Sequence, residues 1–170
     1  DALTIYEEFG TLKGLNVTFI GDGNNVAVSL MHICAKLGAN FTIANPEDYD
    51  ILPSAVEIAR KFAAESGSRL TFLRDPHEAV KNAQAIYTDT WTSMGQEAES
   101  KKRELVFPPY QVNAALVAEA DPKAIVLHCL PAHRGQEITD EVADGPHSRL
   151  FPQAHNRMHA QKAILVKLLA

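Results

Sequence analysis

The 170-residue sequence predicts an α/β domain with a Rossmann-like, three-layer fold, in which a parallel sheet is covered by helices on both faces. Two observations predict this fold. Short, β-rich apolar runs alternate along the chain with amphipathic stretches of helical periodicity. Most of the short runs are continuously apolar, as expected for strands whose two faces are both buried. The whole chain, 1–170, is interpreted as one domain because its length suits a single one.

The predicted elements alternate between strand and helix. The strands are residues 16–21, 40–45, 69–73, 83–88 and 124–128. The helices are residues 25–37, 54–66, 75–81, 112–119 and 153–169, and the first residues of the chain also have a helical pattern. Gly38 and Gly67 follow two of these helices, where a left-handed cap favours glycine. Because such sheets bind ligands beyond the carboxyl ends of their strands, the residues just after each strand are the candidates for chemistry.

Composition and charge exclude several classes of function. Lys and Arg total 16 against 21 Asp and Glu, and a net charge of −5 does not suit a nucleic-acid or membrane surface. The basic run 101–103 is flanked by glutamates and is interpreted as a solvated loop. Cys34 and Cys129 form no C-x-x-C pair, which indicates a reducing, cytoplasmic setting. No apolar run reaches the roughly 18–20 residues that span a bilayer, and no secretory signal is expected from the pattern of the first residues.

The loop after the first predicted strand reads Gly-Asp-Gly-Asn-Asn. Gly21 and Gly23 fit the first two glycines of a dinucleotide-binding fingerprint, but Val26 occupies the third position, where close packing requires glycine. A nicotinamide cofactor is therefore disfavoured, and no cofactor is expected. Asn24 and Asn25 stand at the start of a helix, where their amides can donate to a carboxylate. One of the two is expected to cap the helix instead.

The segment after the fourth predicted strand combines a carboxylate, a hydroxyl and a glycine. Asp89 follows the strand directly, where it can hold a substrate ammonium group, and Ser93 adds a hydroxyl. Gly95 and the charged residues 96–104 are interpreted as a mobile loop that folds over a ligand. The alternative is structural, with Asp89 as a turn residue and Trp91 as a core side chain.

The fifth predicted strand runs into the sequence His-Cys-Leu-Pro, which places a thiol where Pro131 ends the strand. His128, Cys129 and His133 offer at most three nearby metal ligands, so zinc is disfavoured and no metal is expected. The alternative is a thiol within hydrogen-bond reach of a polar substrate. Arg157, early in the last predicted helix, has a guanidinium that suits phosphate or a carbonyl oxygen, although an arginine there is more often solvated.

Taken together and in this order, these segments resemble the C-terminal, ornithine-binding domain of the ornithine carbamoyltransferase family across nearly the whole chain. Residues 89–95 are similar to the family's ornithine-loop signature, and residues 128–131 to its second hallmark. Residues 21–25 match its first strand-end motif. The resemblance implies transfer of the carbamoyl group of carbamoyl phosphate to the δ-amine of L-ornithine. The products are L-citrulline and phosphate, in a step of the arginine biosynthesis or urea cycle type.

The resemblance also implies the roles of individual residues. The implied ornithine-binding residues are Asn25, Asp89, Ser93 and Met94, the last through its backbone. The implied carbamoyl phosphate-binding residues are Cys129, Leu130 and Arg157. The implied catalytic residues are Cys129, Arg157 and Asp89. His155 stands where members of the family usually carry glutamate, which weakens the expected support of Arg157 from that position.

The family's other carbamoyl-phosphate motifs, Ser-Thr-Arg-Thr-Arg and His-Pro-x-Gln, belong to an N-terminal domain and do not occur in this sequence. The chain is therefore expected to begin in the helix that joins two domains and to be inactive alone. Whole enzymes of the family are trimers. Two alternatives stay open: a transcarbamoylase for aspartate, putrescine or N-acetylated ornithine, which Ser93-Met94-Gly95 disfavours, and a non-catalytic amino-acid-binding module.

Overall fold

The structure is a computed structural model that describes residues 1–92, 95 and 97–170. Within these residues one sheet contains five parallel strands: β1 Asn16–Ile20, β2 Asn40–Ala44, β3 Leu70–Leu73, β4 Ala85–Thr88 and β5 Ile125–His128. Their order across the sheet is β3-β2-β1-β4-β5. Strands β2 and β3 therefore lie on one side of β1, and β4 and β5 lie on its other side. The crevice at the carboxyl ends of β1 and β4 is the place where such sheets bind ligands.

The helices within the same ranges are α1 Ala2–Phe9, α2 Asn25–Leu37, α3 Pro53–Ser66, α4 Pro76–Ala79, α5 Ser100–Val106, α6 Ala114–Ala118, α7 Asp140–Ala143 and α8 Leu150–Leu169. Two short 3-10 helices cover Glu97–Glu99 and Pro108–Tyr110. The predicted fold class is confirmed, and each predicted strand and helix occurs with ends that differ by at most three residues. Helix α5 was not predicted, and α7 was also missed.

Helix α2 shows how the local sequence sets these boundaries. The side chain of Asn24 accepts hydrogen bonds from the backbone N–H groups of Val26 and Ala27, at 3.0 and 3.1 Å, and so begins the helix. Gly38 ends it with φ 78°, a conformation that glycine adopts without a Cβ clash. The buried residues between these caps repeat at helical spacing: Ala27, Leu30, Met31, Cys34 and Ala35.

The sheet separates two apolar cores among the described residues. Alternate strand residues, including Phe19, Phe41 and Tyr87, face a core shared with α1, α2 and α3. Their neighbours, including Ile20 and Ile86, face a second core shared with α4, α6, α7 and the start of α8. Both faces of the central strands are therefore buried, which explains why the sequence of those strands is continuously apolar.

Helix α8 is anchored at its beginning and exposed beyond it. Its buried residues are Leu150, Gln153 and Asn156, whereas 157–170 are all exposed. Gln153 accepts a hydrogen bond from the backbone N–H of His128 at 2.9 Å and donates one to the hydroxyl of Tyr87 at 3.0 Å. These bonds fix the first turns of α8 beside the carboxyl end of β5. None of the helices described is both long and apolar enough to cross a membrane.

Candidate active site

Two adjoining cavities lie where the carboxyl ends of the central strands meet the starts of α2 and α8. The first has a volume of about 430 Å³, and the residues that line it include Asn25, Ser29, Tyr87, Cys129, Asn156 and Arg157. The second, of about 620 Å³, is lined by the segment from Cys129 to Ala132 and by the start of α8. Cys129, Ala154 and Arg157 border both cavities. The structure therefore brings Asn25, Cys129, Leu130 and Arg157 to one continuous depression.

Asp89 joins the ends of three strands. In the register of the sheet Ile20 pairs with Thr88, so the loops that follow β1 and β4 start side by side. Asp89 is buried, with only 8% of the residue exposed. Its Oδ2 accepts a hydrogen bond from the side-chain amide of Asn24 at 2.8 Å, and its Oδ1 accepts one from the Cys129 thiol at 2.9 Å. The carboxylate thus holds the β1, β4 and β5 ends together at the crevice.

The structural alternatives for this segment are partly correct. Asp89 does accept a hydrogen bond from the backbone N–H of Thr90, at 2.8 Å, as a turn residue would. Trp91 is buried in the second core, as a core side chain would be. Neither contact excludes a ligand-binding role for Asp89, because a carboxylate has about four lone-pair sites. Ser93 and Met94, the other predicted ornithine-binding residues of this segment, lie outside the described residues.

The Cys129 thiol is half-buried and protonated at neutral pH. Burial, followed by the hydrogen bond and the negative charge of Asp89, raises the pKa of Cys129 to about 12. A thiol with this pKa is not a nucleophile at neutral pH, because the thiolate is the reactive form. At the edge of both cavities, Cys129 can act as a hydrogen-bonding group. Cys34 differs, since it is fully buried in the first core.

Asn24 and Asn25 divide the two roles that the sequence left open. Asn24 caps α2 through its side-chain oxygen, while its Nδ2 donates to Asp89. The side chain of Asn25 is exposed and lines the first cavity. The prediction that one asparagine caps the helix is confirmed, and the structure assigns that role to Asn24. The amide of Asn25 is left available to a ligand.

A buried histidine orders the end of β5. The backbone N–H of Leu130 donates to Nδ1 of His128 at 2.8 Å, so Nε2 of His128 carries the proton and lies 3.1 Å from Oε1 of Glu137. The side chains of His128 and Glu137 are fully buried. These contacts hold Leu130 in a left-handed conformation with φ 54°, ahead of a cis bond to Pro131. Sequence reasoning missed Glu137, which lies nine residues away with no motif to mark it.

Possible metal ligands of Asp89, His128 and Cys129 lie within 4.8 Å of one another. Both ring nitrogens of His128 are already engaged, one with a backbone N–H and one with Glu137. Cys129 holds its proton, and that proton is donated to Asp89. The donor chemistry of these three groups therefore fits a hydrogen-bond network better than a metal centre.

Arg157 brings a positive charge to the site. It is the first residue of the exposed part of α8 and borders both cavities. Over 1–92, 95 and 97–170, its guanidinium makes no hydrogen bond or ion pair with another residue. His155 contacts His159, with ring centroids 4.8 Å apart, and makes no hydrogen bond to Arg157 in the same ranges. An unpaired guanidinium at a cavity can bind an anion or a carbonyl oxygen.

Residues 96–104 were predicted as a mobile loop and 101–103 as a solvated loop, and the assignment as a loop is wrong for the described residues from Glu97 onward. They form a 3-10 helix followed by α5, and Arg103 on α5 is only 4% exposed. Arg103 and Phe107 lie one helical turn apart and both face the second core, which is why this segment is a helix. That spacing was the signal available in the sequence. Lys101 and Lys102 are exposed, as predicted.

The site thus combines a crevice between β1 and β4 with an aspartate, a thiol and an arginine that has no partner among the described residues. The family model described as aspartate/ornithine carbamoyltransferase, Asp/Orn binding domain, matches residues 13–168. The chain belongs to this family. It is 57% identical to the ornithine carbamoyltransferase of Bacillus subtilis over 169 residues, which cover 99% of the chain and 53% of that relative.

Solved structures agree with this assignment. The crystal structure of ornithine carbamoyltransferase from Gloeobacter violaceus superposes with a TM-score of 0.92 at 49% identity, covering all of this chain and 56% of that one. The enzyme from Pyrococcus furiosus also gives a TM-score of 0.92, at 53% identity over 96% of this chain and 52% of that one. The chain spans about half the length of the relatives it matches.

Proposed function

We propose that this chain is the ornithine-binding domain of a cytoplasmic enzyme that carbamoylates the δ-amine of L-ornithine. Carbamoyl phosphate is the donor, L-citrulline and phosphate are the products, and the step belongs to arginine metabolism. Membership of the aspartate/ornithine carbamoyltransferase family supports the reaction class. The observation that carries the proposal is the convergence of Asn25, Cys129 and Arg157 on one depression, with Asp89 bonded directly to the thiol.

The amino-acid end of ornithine needs one partner for its ammonium and one for its carboxylate. Asp89 supplies the negative charge, and the exposed amide of Asn25 can donate to the carboxylate. Ser93 and Met94 complete this set in our proposal. Asp89 directly follows β4, and Asn25 begins α2 just after the loop that follows β1. Because β1 and β4 are adjacent, we expect one small amino acid to reach both.

In the reaction the δ-nitrogen forms a bond to the carbonyl carbon, and the bond from that carbon to the phosphate oxygen breaks. The amine attacks in its neutral form, so it loses a proton whose ordinary pKa is near that of lysine, about 10.4. Negative charge grows on the carbonyl oxygen, and Arg157, which has no partner among the described residues, is suited to stabilise it. Cys129 contributes in our proposal when its single S–H turns from Asp89 to that oxygen. Leu130 borders the carbamoyl group in this arrangement.

A second domain is part of the proposal. Phosphate recognition needs several convergent cations or N–H donors. Of the arginines that line the two cavities in the described chain, Arg134 is already paired with Asp140 and Asp144, which leaves Arg157 alone. We assign the remaining donors to an N-terminal carbamoyl-phosphate domain and the whole enzyme to a trimer. The large apolar residues beyond Arg157 on α8 are exposed and suited to contact that domain: Met158, Ile164, Leu165, Val166, Leu168 and Leu169.

A citrulline assay on two proteins tests the proposal. One is the 170-residue chain alone, and the other is a chimeric enzyme that joins it to the remaining half of the Bacillus subtilis relative. We expect no citrulline from the chain alone and steady production by the chimeric enzyme. Arg157→Gln should abolish that production, whereas Lys162→Gln, a matched change on the exposed part of α8, should not.

Three outcomes would contradict the proposal in different ways. Robust citrulline production by the purified chain alone would refute the need for a second domain. Turnover of aspartate, putrescine or N-acetylornithine in preference to ornithine would refute the substrate. Calorimetric binding of ornithine by a chimeric enzyme that never transfers a carbamoyl group would make the chain an amino-acid-binding module.

A further inference from the structure

We propose that Arg103 is a positioning residue for ornithine binding, which holds Asn24 and Asp89 in register although it bonds to neither. The proposal rests on the proposed function, because it assigns Arg103 an effect on ornithine affinity. Arg103 lies on α5, outside both cavities. It therefore acts on the site only through the backbone segments that it binds.

Arg103 bonds to both loops that bear the Asn24–Asp89 pair. One of its terminal nitrogens donates to Oδ2 of Asp22 at 2.5 Å and to the backbone carbonyl of Trp91 at 2.8 Å. Asp22 stands two residues before Asn24, and Trp91 stands two residues after Asp89. One guanidinium thus ties together the flanks of the hydrogen bond that spans the β1–β4 crevice.

The loop on the β1 side has little freedom to compensate. The backbone N–H of Gly23 donates to the carbonyl of Tyr49 at 2.9 Å, and that of Asn24 donates to the carbonyl of Asp22 at 2.8 Å. A Cβ added at Gly23 would lie 2.4 Å from the backbone nitrogen of Ile51. The segment from Asp22 to Asn24 is therefore packed against the chain near Tyr49, whose ring also contacts the Arg103 guanidinium.

Because the Arg103–Asp22 ion pair is buried, it adds little to the stability of the fold, but it fixes the positions of the two loops that it joins. The guanidinium lies 4.8 Å from the ring centre of Tyr49 and 5.7 Å from that of Phe107. Its Nε is buried without a hydrogen-bond partner among the described residues, with Oε2 of Glu99 at 3.5 Å. Replacing both members of a buried ion pair with apolar residues often leaves the stability of the fold unchanged. Loss of only one member destabilises it, because the other charge is left buried without a partner.

The charges of Asp22, Asp89 and Arg103 also support a positioning role for Arg103. Burial raises the pKa of the Asp22 carboxyl, the hydrogen bond from Arg103 opposes that rise, and the nearby charge of Asp89 adds to it. Asp22 and Asp89 are thus two carboxylates that repel each other across a partly buried crevice. The hydrogen bond and the positive charge of Arg103 favour the charged form of the Asp22 carboxyl.

The test combines nitrogen-15 NMR of the 170-residue chain with kinetics of the chimeric enzyme. The reporters are the side-chain amide of Asn24 and the backbone amide of Thr90, since both donate to Asp89. Arg103→Lys keeps the charge but replaces the planar fork with one ammonium, and Asp22→Asn keeps the shape and removes the charge. We expect both variants to shift both signals, and Lys101→Gln, an exposed change on the same helix, to shift neither.

In the chimeric enzyme, Arg103→Lys and Asp22→Asn should each raise the KM for ornithine about tenfold and leave kcat within about threefold. The double variant should have no higher KM than either single variant, because both substitutions break the same linkage.

Unmoved NMR signals in a variant that thermal unfolding shows to be folded would overturn the proposal. Moved signals with an unchanged KM would overturn it too. If Arg103→Lys fails to fold, the NMR signals and the KM of Asp22→Asn decide whether the proposal stands. A wild-type chimeric enzyme that does not bind ornithine refutes the proposed function instead, and the NMR result still decides the positioning.

Discussion

Asp89→Asn is predicted to loosen the crevice and to make Cys129 more reactive. The aspartate accepts hydrogen bonds from Asn24, Thr90 and Cys129. An asparagine can keep one oxygen towards Thr90 and Cys129, but it then turns an NH₂ group towards the NH₂ group of Asn24. Asn24 cannot turn its own oxygen round without giving up the cap of α2.

The size of the effect follows from these bonds. Loss of one hydrogen bond to a charged group destabilises the folded state by about 1.5–3 kcal/mol. For a domain of this size each kcal/mol lowers the Tm by about 2–4 °C, so the variant should unfold roughly 3–12 °C earlier. In the chimeric enzyme its ornithine affinity should fall about tenfold or more, because the residue that we propose as the partner of the substrate ammonium has lost its charge.

The thiol gives a second measurement with a definite sign. Burial is the largest cause of the raised pKa of Cys129 and persists in the variant, whereas the negative charge of Asp89 is removed. The pKa should therefore fall from about 12 but stay above the ordinary value of 9.0. At pH 8 each unit of decrease raises the thiolate fraction about tenfold, so alkylation of Cys129 should accelerate accordingly.

The assay is the rate of iodoacetamide modification at pH 8, followed by intact mass and assigned by peptide mapping. Asp75→Asn is the matched control, since Asp75 is exposed and caps α4. Cys34 is the internal control, because burial raises its pKa to about 12 and modification there would report a general opening of the core. An unchanged rate at Cys129, together with an unchanged Tm, would show that the Asp89 hydrogen bonds do not exist in solution.

Two further predictions separate stability from binding. Asn24→Ala should destabilise the chain by about 0.5–2 kcal/mol through loss of the α2 cap, whereas Asn25→Ala should leave the Tm unchanged and weaken ornithine binding several-fold. Differential scanning calorimetry measures the Tm of both variants, and titration calorimetry measures their ornithine binding. Equal effects of the two substitutions on the Tm would contradict this prediction. Arg157→Gln should change the Tm by no more than about 1 °C, since no described residue pairs with Arg157. It should nevertheless lower the kcat of the chimeric enzyme about a hundredfold or more. A large loss of stability would show that the arginine is structural.

Much of this architecture could be predicted because its determinants are local. Continuous apolar runs gave the strands, and capping residues such as Gly38 gave the helix ends. The rule that ligands bind at the carboxyl ends of strands then directed attention to Asp89 and Cys129, which do meet there. Each of these inferences needs only the residues within one turn of helix or one strand.

What could not be predicted depends on contacts between distant segments. Arg103 stands in a charged run that resembles a solvated loop, and its partner Asp22 lies 81 residues away in sequence. Glu137 looks like an ordinary surface glutamate until the fold places it against His128. A local pattern also could not decide between Asn24 and Asn25, because the choice depends on the residue at which α2 begins.

The order of the strands also governs how the crevice can come into being as the chain folds. Asn24 and Asp89 are 65 residues apart, and Asp89 and Cys129 are 40 apart, yet all three meet at one point. Contacts of such long sequence separation form only after large loops have closed, which slows folding. The crevice where these three side chains meet should therefore form with the last cooperative step of folding, and a partly folded intermediate that retains native helices would lack it.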